Sequence, residues 1–202
     1  MRKCSLANLN ALFAAMAEHA SVYLPVDGTD GRAHYKKWAD GTVMSDALNT
    51  VRSAKDFFFP QTENLMDFRR EGKTVEIIDT REESEDFIVF GVRACDARSF
   101  EILDRVFLAE PADSYYASRR AHGVIVTLAC MRPAETCFCR TFGIDAANPG
   151  GDVACYKTDD ALYLTANTER GEALLASLSA LTEEQLAQFT DEQKAALEEH
   201  YQ

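Results

Sequence analysis

The apolar positions of this chain follow two rhythms, one helical and one of short continuous runs. From Ser5, an N-cap residue type, Leu6, Leu9, Leu12, Phe13 and Met16 recur at helical spacing, which predicts a helix over residues 5–19. Val22 to Val26 reads as a short strand, Asp27-Gly28-Thr29-Asp30-Gly31 as a turn-rich loop, and His34 to Trp38 as an edge strand or turn. In Phe57-Phe58-Phe59-Pro60 the proline biases Phe59 away from helical backbone, so the run predicts an extended, packed loop. Glu63 to Arg70 is then read as a helix and Thr74 to Asp79 as a strand. Two runs, Phe87-Ile88-Val89-Phe90-Gly91-Val92 and Gly123-Val124-Ile125-Val126-Thr127-Leu128, are apolar almost throughout, as strands buried on both faces require. Between them Phe100, Leu103, Val106 and Phe107 mark one side of a helix, with Asp96 as its expected N-cap.

Strand, helix and strand in that order predict parallel α/β architecture. After Asn148-Pro149-Gly150-Gly151, Val153 to Lys157 and Ala161 to Thr165 flank the acidic turn Thr158-Asp159-Asp160 and predict a hairpin. Glu169 to Leu181 and Thr182 to Tyr201 read as helices, the second opened by a capping box, Thr182-Glu183-Glu184-Gln185. Its apolar positions, Leu186, Phe189 and Leu197, suit packing on its own domain. The fold class is therefore α/β, a partly parallel sheet flanked by helices, with a β-hairpin and a carboxy-terminal helical segment. Residues 1–168 form the α/β domain in this reading, and residues 169–202 the carboxy-terminal helices.

Charge narrows the function classes. In 202 residues, 21 Lys and Arg stand against 33 Asp and Glu, a net charge of −12. Such a balance opposes sequence-independent nucleic-acid binding, which relies on neutralising phosphates, and favours a basic partner surface. No stretch approaches the roughly 20 apolar residues of a membrane helix, and the start of the chain does not resemble a signal peptide. The expected compartment is the cytoplasm, where thiols stay reduced.

In that compartment six cysteines read as metal ligands or apolar fillers rather than a disulfide framework. Cys130-Met131-Arg132-Pro133-Ala134-Glu135-Thr136-Cys137-Phe138-Cys139 puts three thiols just after one apolar run, and Cys95 follows the other. In an open parallel sheet the carboxyl ends of the strands share one edge, where ligands bind, so Cys95 and Cys130 belong to the same edge. Cys137 and Cys139 can fold back from the loop toward them. Four thiolates suit a [4Fe–4S] cluster or tetrahedral Zn²⁺. A C-x6-C-x-C run lacks the usual zinc knuckles and the usual ferredoxin spacing, so cluster, zinc and no metal all stay open. Cys95 and Cys130 also suit packing at strand ends, whereas Cys137 and Cys139 sit among polar residues; Cys155 is read as packing and Cys4 as incidental.

Arginines gather at the same motifs: Arg93 and Arg98 around Cys95, Arg132 and Arg140 in the cysteine loop. Cations beside an anionic cluster raise its reduction potential, and each of these arginines equally suits a surface ion pair. Asp96 is read first as an N-cap and second as an oxygen ligand.

Three segments occur together and in order: Lys55-Asp56-Phe57-Phe58-Phe59-Pro60-Gln61-Thr62-Glu63, Gly91-Val92-Arg93-Ala94-Cys95-Asp96-Ala97-Arg98-Ser99, and Cys130 through Cys139. The set resembles the amino-terminal region of the beta-subunit family of soluble hydrogenases (sulfhydrogenases) and of the anaerobic sulfite reductase A subunit. The resemblance runs from the Lys55 segment through the hairpin. It implies an iron–sulfur electron-transfer subunit of anaerobic redox metabolism, rather than a catalyst by itself. It implies a cluster site at Cys95, Cys130, Cys137 and Cys139, and partners that carry a flavin and a catalytic centre. It further implies a carboxy-terminal ferredoxin-like module; these residues hold no C-x2-C-x2-C run, and 169–202 are read as a connector to such a module.

Two other classes compete. A zinc-stabilised docking domain of such a complex needs the same four thiols. A thiol enzyme would need a histidine beside Cys137 or Cys139, and His19, His34, His122 and His200 all lie outside the cysteine motifs. With no G-x-G-x-x-G and no P-loop, a flavin is expected on a partner rather than on this chain.

Overall fold

The computed structural model describes residues 1–81, 84–130 and 133–188. An eight-stranded sheet is built from β1 (Arg2–Ser5), β2 (Ser21–Asp27), β3 (Ala33–Lys37), β6 (Phe87–Val92), β7 (Gly123–Leu128), β8 (Val153–Lys157), β9 (Ala161–Ala166) and β10 (Ala187–Gln188). Its order is β10-β1-β9-β8-β7-β6-β2-β3. The middle four strands, β8, β7, β6 and β2, run parallel, and the outer pairs are antiparallel. The α/β expectation holds, with the parallel strands in the centre where both faces can be covered.

Helices α1 (Leu9–Ala17) and α4 (Glu169–Ser177) cover one face. Leu12, Phe13 and Met16 of α1 and Leu174 of α4 join Ile88, Phe90, Val126, Leu128, Val153 and Cys155 in one core. Phe13 meets Phe90 edge to face, ring centroids 5.0 Å apart. The opposite face carries α2 (Ala94–Phe107) and α3 (Ser114–His122). There Phe58, Phe100 and Tyr116 pack on Val89, Val92 and Ile125. Alternation along β6 thus feeds two cores. A bulge interrupts it between Phe90 and Val92, at Gly91, whose φ is +80°. One extra residue lets Val92 join Val89 in the second core instead of following Ile88 and Phe90 into the first.

Several predicted elements fall differently. The helix over 5–19 is shorter: Ser5 ends β1, caps a 3-10 turn at Leu6–Asn8 by accepting from the Ala7 N–H, and the α-helix begins at Leu9. Cys4, read as incidental, is fully buried. Phe57 belongs to a 3-10 helix, Ala54–Phe57, rather than an extended loop, because Pro60 constrains only Phe59. The helix predicted over Glu63 to Arg70 is a strand, β4 (Met66–Glu71), paired antiparallel with β5 (Thr74–Asp79) in a separate two-stranded sheet. Gly72, with φ +60°, makes its turn. One face of this hairpin presents Met66, Phe68, Val75 and Ile77, all exposed.

Asp96 is not the cap of α2, which begins two residues earlier; Arg93 holds the cap position and makes no side-chain capping bond. Val106, placed on the packed side of that helix, is exposed. Helix α3 had no counterpart in the sequence reading; Asp113 caps it by accepting from the Tyr115 and Tyr116 N–H groups. The hairpin β8–β9 and the helix from Glu169 form as predicted. At Thr182 the two capping-box bonds are present, Gln185 N–H to the Thr182 hydroxyl and Thr182 N–H to Gln185 Oε1. No helix continues from them, since Ala187 and Gln188 pair as β10 with β1. The rest of the segment predicted to reach Tyr201 lies outside the described residues. Among the described residues no helix is long and apolar enough to cross a membrane.

A bidentate pair links α2 to α3: Arg120 Nε and Nη2 donate to Asp104 at 2.8 and 2.9 Å, and the Tyr116 hydroxyl donates to the same carboxylate at 2.7 Å. Burial pushes the Asp104 carboxyl up, but the Arg120 and Tyr116 hydrogen bonds outweigh it and leave the group below its ordinary value. A depressed carboxyl contributes stability above its unfolded pKa, about 3.9, and loses it as pH falls through the folded value. Asp104→Asn is therefore expected to be destabilised near neutral pH, with the difference from wild type shrinking as urea unfolding is repeated below pH 4. Gly91→Ala is expected to lose about 1–3 kcal/mol in the same assay, since alanine resists positive φ. Its Cβ would also stand 3.1 Å from Pro25.

Candidate functional site

Because β6 and β7 pair in parallel, Phe87 opposite Gly123 and Val92 opposite Thr127, both strands end at the same edge. Cys95 follows the first in the opening turn of α2, and Cys130 follows the second. Beyond Cys130 the loop turns through a 3-10 helix, Cys139–Phe142. The Cys130 N–H donates to Ala146 O at 2.9 Å, and Ile144 N–H to Cys139 O at 3.0 Å, which fold the loop back over the strand ends. Cys95, Cys130, Cys137 and Cys139 all line one cavity of about 780 Å³. Leu48, Asn49, Pro133, Phe138 and the 144–147 segment form further parts of its walls.

The four predicted thiols are thus brought around a common space. Cys130 and Cys139 are partly covered, whereas Cys95 and Cys137 are exposed. They do not converge on a point: among the described residues no group of three or more His, Cys, Asp or Glu is arranged to hold a single metal ion. Burial raises the Cys95 thiol pKa, and the Asp96 carboxylate and neighbouring Cys139 add to the effect. Burial also raises Cys130, opposed by the charge and hydrogen bond of Arg93. The Ala134 N–H points at Cys137 Sγ, 3.3 Å away. Cys4 and Cys155 are buried elsewhere, in the core under α1 and α4.

The surrounding charges separate. Arg93 and Arg140 line the cavity. Asp96 accepts from Lys55 Nζ at 2.7 Å and faces a smaller adjoining cavity of about 260 Å³ with Tyr35 and Cys95. That ion pair ties the Lys55 segment to the Cys95 segment, 41 residues apart. Arg98 pairs with Glu101 on the exposed side of α2 and is not part of the cavity wall. Arg132 lies outside the described residues. Sequence reasoning missed the Leu48 and Asn49 wall, which has no periodicity to mark it, and the exposed pair Phe138 and Phe142 (63% and 65% accessible) on the cysteine loop. The Cys137-Phe138-Cys139 run is the signal for Phe138.

Fold and site together define an α/β domain with a four-thiol cavity at the carboxyl edge of its parallel strands. Over 189 residues, 91% of the chain, it is 30% identical to the Sulfhydrogenase 2 subunit beta of Pyrococcus furiosus, a similarity in keeping with the resemblance of its motifs to hydrogenase beta subunits. The chain spans about half, 55%, of the length of that relative. No protein-family model matches the chain. No solved structure matches it.

Thiol accessibility checks the placement. In metal-free native protein, a maleimide reagent is expected to modify Cys95, Cys130, Cys137 and Cys139 and to reach Cys4 and Cys155 only after unfolding, as mass mapping of the labelled residues would show.

Proposed function

We propose that this chain is an iron–sulfur electron-transfer domain of a multisubunit redox complex of the hydrogenase or sulfite reductase type. Cys95, Cys130, Cys137 and Cys139 would hold one [4Fe–4S] cluster. The observation that carries the reading is that four cysteines, from two parallel strand ends and one returning loop, line a single cavity. Thiolates are the donors such clusters take. Four thiols spaced around a cavity, rather than converging on a point, suit a multi-atom group better than one ion. The relative's name, a sulfhydrogenase subunit, supports assembly with other subunits; in this proposal one of them carries a flavin and another the catalytic centre.

Bound there, the cluster would supply one-electron transfer. The chain's own residues make the setting. Cys95 stands in the first turn of α2, just after β6, and Cys130 just after β7, while Cys137 and Cys139 come from the loop, where the Ala134 N–H supports Cys137. Phe138, Leu48 and Ile144 give the cavity apolar wall. Arg93 and Arg140 place positive charge on that wall. Asp96, held by Lys55, and Arg98 stand further out on α2, and Arg132 shares the cysteine loop.

Anaerobic reconstitution tests the reading. Wild-type protein is expected to bind about four iron and four sulfide per chain, with visible absorption. Cys137→Ser or Cys139→Ser should lower that content severalfold while far-UV circular dichroism stays unchanged. One zinc and no sulfide would instead make the domain a metal-stapled docking unit.

A further inference from the structure

We infer that Arg93 is the positioning residue of this cavity: it clamps the 47–48 segment to the end of β7 and holds a fixed positive charge beside Cys130, so that it sets the potential of a group bound there. The inference rests on the cluster reading above. Both sides of the guanidinium are used. Nε donates to Leu48 O and Nη2 to Ala47 O, each at 3.0 Å. Nη1 donates to Ala129 O at 3.3 Å and Leu128 O at 3.4 Å. The two segments are joined to Arg93 across 45 and 36 residues of chain, and both approach the cavity, where Leu48 and Cys130 line the wall.

All four acceptors are neutral carbonyl oxygens, so these bonds leave the charge of Arg93 uncancelled. Arginine suits the position because its planar fork offers five donors in fixed directions; a lysine ammonium is a single point that cannot span both carbonyl pairs. The charge also cannot titrate away near neutral pH. A fixed cation beside a thiolate ligand favours the more negative, reduced form of a bound cluster and so raises its potential. The bulge at Gly91, two residues upstream, sets the phase in which the strand delivers Arg93 to this edge.

The test compares wild type, Arg93→Gln and Arg93→Lys after anaerobic reconstitution. It measures iron and sulfide content, the midpoint potential of the bound cluster, and amide hydrogen exchange over residues 45–51 in cofactor-free protein. Arg93→Gln is expected to shift the potential to more negative values. Arg93→Lys should stay nearer wild type because it keeps the charge, and exchange over 45–51 should accelerate in both variants because neither restores the fork. An Arg93→Gln cluster at the wild-type potential overturns the inference. If Arg93→Gln cannot be loaded, Arg93→Lys decides: a wild-type-like potential with faster exchange supports the inference, and unchanged exchange overturns it. Wild-type protein that takes up no iron and sulfide overturns the cluster reading and the inference together, an outcome distinct from failure of a variant alone.

Discussion

The parallel pairing of β6 with β7 is the constraint on which the rest of the molecule depends. Parallel strands cannot be joined by a tight turn, so the chain must travel back through α2 and α3 before β7 begins. A parallel ladder in the middle of a sheet needs apolar cover on both faces, and α1 with α4 on one side and α2 with α3 on the other provide it. The same pairing brings both strands to an end at one edge, and Cys95 and Cys130 are the residues that follow there. Site and scaffold are consequences of one hydrogen-bonding pattern.

Closing the site requires departures from regular structure. The bulge at Gly91 shifts the phase of β6, so that Val92 packs beneath α2 just before Arg93 enters the cap position of that helix. Asp96 in the first turn suits the positive end of the α2 dipole and is at the same time held by Lys55. Phe58, three residues beyond that lysine, fills the space above Gly123 and Phe87, where a Cβ on Gly123 would clash with the Phe58 ring. Polar and apolar contacts of one short segment therefore lock the beginning of β7 and the beginning of α2 together. The three separated motifs are parts of one packed unit.

Charge is distributed unevenly around this unit. The chain carries a net −12, yet two arginines stand on the wall of the thiol cavity. Partial burial raises the Cys95 and Cys130 thiols above their ordinary values, and at Cys130 the Arg93 guanidinium opposes the effect. Among the apolar residues left exposed, Phe138 and Phe142 on the cysteine loop and the Met66, Phe68, Val75 and Ile77 face of the β4–β5 hairpin lie outside both cores.

Much of this arrangement is written in local pattern. Continuous apolar runs at 87–92 and 123–128, helical spacing between them and a turn between 157 and 161 are properties of neighbouring residues, and they suffice for a parallel α/β core with a hairpin. From that core alone, Cys95 and Cys130 belong to one edge. Other features depend on contacts that no local pattern encodes. Glu63 to Arg70 mixes charges and apolar residues in a way that suits a helix face or a strand, and pairing with β5 decided for the strand. A capping box opens at Thr182, but the edge of β1 offered Ala187 and Gln188 a ladder, and the chain took it. Arg93 reads from sequence as one basic residue among several near the cysteines. Only the approach of Ala47 and Leu48 to the end of β7, segments more than 75 residues apart, makes it the clamp of the site. Local periodicity selects an element's form through its own backbone and side-chain preferences, whereas long-range hydrogen bonds exist only after the chain has closed on itself.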